Sequence, residues 1–145
     1  MTSRQTKAAN LLISEHADLQ VTAKIERMPK GYIDKWHKHP WHQIVFPFEG
    51  ILQTKVAAVQ FVIPHTGMLF IPANTEHESF VMTDTKFIGI YLNPKKNNNY
   101  PQQSKAVSVS HFYESCFCIS ITVQLIQMFQ SKKFQICYLY WLIKY

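Results

Sequence analysis

From about Leu19 to Leu92 the apolar positions fall in short runs rich in β-branched and aromatic residues, broken by Pro, Gly and Asn at intervals of about 8–12 residues. These runs predict strands over residues 20–27, 41–48, 51–55, 60–63, 67–71, 78–82 and 86–92. Met28-Pro29-Lys30-Gly31, Glu49-Gly50, Pro64-His65-Thr66-Gly67 and Pro72-Ala73-Asn74 supply the breaks. No helix is expected before Pro101. Many short strands with regular turn signals describe a sandwich or barrel. A double sheet closed on itself leaves few edges open to pairing, which favours an all-β jelly roll.

The pattern changes after Leu92. Residues 93–101 (NPKKNNNYP) have the composition of a loop. Residues 111–145 are crowded with aromatic, β-branched and Cys residues and show neither a 3.6 period nor alternation. Val123, Ile126 and Phe129 can share one helix face, so an irregular or weakly helical tail is expected. The chain then divides into an N-terminal extension (1–18), a barrel (19–94), a linker (95–110) and an atypical C-terminal tail (111–145). The tail's composition would suit a frameshifted or prematurely terminated reading frame.

Composition narrows the function classes. With 47% apolar and 17% charged residues, the 145-residue chain can bury enough surface to fold as one domain. The net charge of +6 is scattered, Lys95-Lys96 and Lys132-Lys133 being the longest clusters, and a solvated basic surface is expected rather than a nucleic-acid site. Cys116, Cys118 and Cys137 form neither a CxxC metal pair nor a disulfide scaffold. The first twenty residues lack a signal-peptide core, and the most apolar segment, 134–143, is too short to span a bilayer, so a cytoplasmic location without membrane contact is expected. Nucleophile-elbow, phosphate-loop and dinucleotide signatures are absent.

Candidate chemistry sits in residues 31–50, GYIDKWHKHPWHQIVFPFEG. In an extended chain His37, His39 and Gln43 share one parity and point inward together, whereas His42 points outward. The turn Pro72-Ala-Asn-Thr-Glu-His77 can bring His77 against them from a neighbouring strand. Three imidazoles and an amide suit a borderline divalent ion such as Zn, Ni, Fe or Cu. The same four side chains also fit a metal-free ligand pocket or a structural polar network. Parity places Trp41, Val45, Ser79 and Val81 on the same inner wall, where they would line a ligand site.

The spacing resembles the two cupin motifs. Gly31, His37, His39 and Gly50 match G-x5-H-x-H-x3-E-x6-G in register, with Gln43 in place of the motif's Glu. Pro72 and His77 match the second motif, G-x5-P-x-G-x2-H-x3-N, in which Asn74 replaces the turn glycine and Val81 the final Asn; Gly67 lies one residue closer to the proline than usual. The wording H-x-H-x-W-H-Q followed by F-I-P-A-N-T-x-H is similar to the N-terminal cupin (RmlC-like) domain of a subgroup of AraC-type transcription regulators. That resemblance covers residues 31–92.

It implies an RmlC-like jelly-roll barrel that binds a small-molecule effector, can form a homodimer, and controls a C-terminal helix-turn-helix pair. Here His37, His39, Gln43 and His77 would be the metal or polar ligand site. The DNA-contacting half is expected to lie outside this chain, so DNA is expected as a partner only through that half. The chain itself is expected not to be an enzyme. The alternative is a metal-dependent cupin enzyme of dioxygenase or isomerase type using the three histidines, although Gln43 removes an anionic ligand and a candidate general base.

Overall fold

A computed structural model describes residues 4–96 and 100–108. After helix α1 (Arg4–Glu15) come nine strands: β1 (Val21–Met28), β2 (Ile33–His37), β3 (His42–Glu49), β4 (Ile51–Val56), β5 (Val59–Pro64), β6 (Gly67–Ile71), β7 (His77–Val81), β8 (Thr85–Leu92) and β9 (Lys105–Ser108). They form two sheets, ordered β1-β8-β3-β6-β9 and β2-β7-β4-β5, and all their pairings are antiparallel. The all-β jelly roll expected from the turn rhythm is the architecture found.

The inner faces meet in an apolar cluster of Met28, Val45, Leu52, Val56, Ile63, Leu69, Ile71, Val81 and Phe87. The larger sheet is apolar on its other face as well, where Val21, Ile44, Phe46, Met68, Phe70, Ile88, Ile90, Leu92 and Tyr100 pack together. This explains why residues 42–47 are continuously buried rather than alternating. A strand apolar on both faces reads as an unbroken hydrophobic run. By contrast β4 alternates, with Leu52, Thr54 and Val56 buried and Lys55 exposed.

Three features correct the sequence expectations. Residues 4–15 are helical, although no helix was expected before Pro101. Ala9, Leu12 and Ile13 lie on one face of α1 and pack against Trp41 and Tyr91, so a tertiary contact stabilises a helix whose own pattern is weak. Residues 33–37, expected only as extended chain, pair with β7 as a strand. Residues 105–108, inside the stretch read as linker, add β9 to the edge of the larger sheet opposite β6. The expected tail at 111–145, with its helix face and its three cysteines, lies outside the described residues.

Turn chemistry follows the sequence more closely. Gly31 and Gly50 adopt φ of 85° and 83°, and Asn74, standing where the motif has glycine, adopts 60°. At Gly50 a Cβ would stand 2.4 Å from the carbonyl oxygen of Asp84 and 2.5 Å from Thr85 Oγ1. Gly50→Ala should therefore lower the melting temperature sharply: the left-handed backbone alone costs about 1–2 kcal/mol, and the clash adds to it. An unchanged melting curve would show that the β3–β4 hairpin can move away from the 83–85 turn.

Candidate metal centre

His37 ends β2, His39 lies in the crossover after it, and His77 begins β7. In the β2–β7 ladder His37 and His77 are direct partners. The His39 loop is tied to the turn before β7 by Asn74 N–H donating to His39 O at 2.7 Å. Ring centroids are 4.2 Å apart for His37 and His77, 4.9 Å for His37 and His39, and 5.2 Å for His39 and His77. One nitrogen from each of the three rings lies within 4.8 Å of the others.

The outer ring positions are set by the backbone. His37 Nδ1–H donates to Lys35 O at 2.6 Å, and His77 Nδ1–H donates to Thr75 O at 2.9 Å. Each bond fixes the tautomer that leaves a lone pair on Nε2, the arrangement of a metal-ligating imidazole. Both His39 ring nitrogens, and Gln43 Oε1, are buried without a hydrogen-bond partner. Leaving such groups unsatisfied costs about 1–3 kcal/mol each, and a divalent ion would take the lone pair of one His39 nitrogen, the other being the N–H of the neutral ring beside the Gln43 amide, so the donor set fits a metal.

The electrostatics agree with that fit. Burial first, and then the His77 and His37 rings, lower the His39 pKa to about 3. Burial, with His37 as the next cause, lowers that of His77 to about 4. Both rings are therefore neutral near pH 7, as metal ligation requires.

The shared parity of His37, His39 and Gln43 correctly places all three inside, but the chain through them is not one strand. β2 belongs to the smaller sheet and β3 to the larger, so residues 38–41 cross between sheets. The three side chains converge because both sheets face the same interior. Gln43 lies beside His39, and its Nε2 donates to Tyr91 Oη at 3.5 Å.

His42 points to the outer face, as expected. Its ring lies 4.8 Å from Tyr100 and 5.5 Å from Phe70, and its Nδ1 accepts from Ala73 N–H at 2.9 Å.

The other expected wall residues separate. Val45 and Val81 belong to the apolar cluster of the interior. Ser79 faces inward and shares a 2.9 Å hydrogen bond with Thr54. Trp41 is buried, but beneath α1, against Ala9, Ile13 and Tyr91.

Several polar residues near the histidines escaped the sequence reading. Asp34 Oδ2 stands 3.5 Å from His37 Nε2. Parity would have sent Asp34 outward, but a register shift between Asp34 and His37 turns both inward. Tyr91, the register partner on β8 of Gln43 on β3, meets His39 edge-on with ring centroids 5.6 Å apart. Burial first, then the Glu26 and Asp34 carboxylates, raise its hydroxyl pKa. Lys24 and Glu26 form an ion pair on β1 with both side chains mostly buried. Their signal was the alternation of Thr22, Lys24, Glu26 and Met28 on one face of β1.

No family model matches the chain, and no curated protein matches its sequence. Solved structures do. An oxalate decarboxylase superposes with a TM-score of 0.51 at 12% identity, over 61% of this chain and 25% of that one. A cupin-2 domain-containing protein from Shewanella frigidimarina NCIMB 400 is 20% identical with a TM-score of 0.45, covering 51% of this chain and 72% of that one. KdgF from Halomonas sp. is 16% identical with a TM-score of 0.48, covering 50% and 69%.

This chain thus spans about a quarter of the oxalate decarboxylase, and at these identities the likeness is one of fold. The protein has an all-β jelly-roll fold of the cupin type, with a buried three-histidine cluster able to hold a divalent metal. Among the described residues no helix is long and apolar enough to cross a membrane.

Proposed function

We propose that this chain is the effector-sensing cupin domain of an AraC-type transcription regulator, and that it binds a small molecule at a metal centre without converting it. The observation that carries the proposal is the buried cluster of His37, His39 and His77, whose lone pairs converge next to the unpartnered Gln43 carbonyl. A neutral amide where the cupin motif has a carboxylate removes the anionic ligand and a candidate proton acceptor, which favours binding over turnover. The H-x-H-x-W-H-Q and F-I-P-A-N-T-x-H wording supports the regulator class over other cupins.

The test is a thermal-shift screen of the metal-loaded protein against small acids, sugars and amines, with each hit recovered and analysed. A saturable rise in melting temperature is expected, of the size that ligand mass action gives, with the compound recovered unchanged. Metal-dependent consumption of a hit would overturn the sensor reading in favour of an enzyme.

A further inference from the structure

Strand β1, at the edge of the larger sheet, carries two charged side chains, Lys24 and Glu26, that are mostly buried. On β1, Thr22, Lys24 and Glu26 are the register partners of Tyr91, Gly89 and Phe87 on β8. Gly89 has no side chain, and the Tyr91 ring folds back over it: a Cβ there would stand 3.2 Å from the Tyr91 hydroxyl. The Lys24 position therefore borders the space occupied by Tyr91, which touches both His39 and Gln43.

We propose that the centre takes a small monoanionic carboxylate, seated between the three-histidine cluster and the Lys24 ammonium. The proposal rests on the metal-binding reading above. Charge balance is the reason. Three imidazoles and the Gln43 amide are neutral donors, so a divalent ion held by them keeps its whole charge in a buried site.

Among the described residues, Asp34 is the acidic side chain beside the cluster, and it offsets one unit. Glu26 is already committed to Lys24. One positive charge is left over, and an uncompensated charge in a buried site is strongly unfavourable. A monoanion brings the interior to neutrality, whereas a phosphate dianion overshoots it. A carboxylate also offers a second oxygen for an ammonium hydrogen bond. Glu26 holds the Lys24 head inward and is the counter-ion that the ligand must displace in part.

The experiment uses the full chain loaded with cobalt(II) and titrates it with glycolate, following the visible spectrum and the heat of binding. Glycolamide serves as the neutral control and inorganic phosphate, titrated at about pH 8.5 where it is almost wholly the dianion, as the doubly charged one. Glycolate should bind saturably, with glycolamide and phosphate each at least about 10-fold weaker. Lys24→Met should weaken glycolate by a similar factor while cobalt uptake stays unchanged.

Glu26→Gln should instead tighten glycolate by freeing the ammonium, a gain that a misfolded variant would not give. Equal affinity for glycolate and glycolamide, or glycolate binding indifferent to both substitutions, would overturn the carboxylate proposal alone. Failure to take up cobalt would overturn the metal centre as well.

Discussion

Alanine at His39 is expected to strip the protein of tightly bound transition metal. His39 sits in the crossover between the sheets with both ring nitrogens free of hydrogen-bond partners, and its ring lies within 5.2 Å of the other two. Removing it leaves two imidazoles and an amide, too few donors to replace the hydration of a borderline ion.

Loss of a mere outer partner of a ligand costs about 10–100-fold in affinity, so loss of the ligand itself should exceed that. His37→Ala and His77→Ala should behave alike, whereas His42→Ala, on the outer face, should leave metal content unchanged. Elemental analysis of the four purified variants beside the unaltered protein is the measurement. Full metal content in all three inner variants would show that the cluster is a polar network and that any metal sits elsewhere.

Acidification should destabilise the metal-free protein steeply. In the unfolded chain His39 and His77 take up protons near the ordinary value of 6.5, whereas in the folded protein burial holds them at about 3 and about 4. Across that window the unfolded state binds more protons, so stability rises with pH. The contribution is complete above pH 6.5 and is lost as pH falls toward 4 and then 3.

A tenfold difference in proton affinity between the folded and unfolded states is worth about 1.4 kcal/mol, so the two rings together should remove several kcal/mol. Urea unfolding of chelator-treated protein at pH 7.5, 5.5 and 4.5 measures the loss, and His39→Gln should flatten it. Metal should protect, because it binds the folded, deprotonated cluster and little else. Parallel pH profiles for the two metal-free proteins would show that carboxylates, not these imidazoles, set the acid limb.

The two measurements separate two properties of the site. The first asks whether the lone pairs converge on an ion. The second asks whether the site is as dry as its geometry implies. A centre that failed the first and passed the second would be a buried, neutral histidine network, and effector binding would then rest on Lys24, Glu26, Asp34 and Tyr91 alone.

Much of this was legible without coordinates. Turn residues spaced along alternating and fully apolar runs determined an antiparallel double sheet, because side chains on a strand can reach only two faces. Gly31, Gly50 and Asn74 marked breaks between strands, and in the structure all three have positive φ. His37, His39, Gln43 and His77 were identifiable as inward groups from parity and motif spacing.

Tertiary structure decided the rest, wherever a side chain's surroundings come from a distant strand. Parity treated residues 37–43 as one extended segment, but the chain changes sheets there, and only the closed barrel makes both halves face inward. A register shift that no local pattern announces turned Asp34 toward His37. Lys24 and Glu26 drew no notice as a pair of charges on a strand, yet pairing with each other allows both to be mostly buried. Helix α1 exists because Trp41 and Tyr91 offer it an apolar surface. Periodicity reports which face of an element is apolar, whereas the depth, partner and charge of each polar group depend on what the fold sets opposite it.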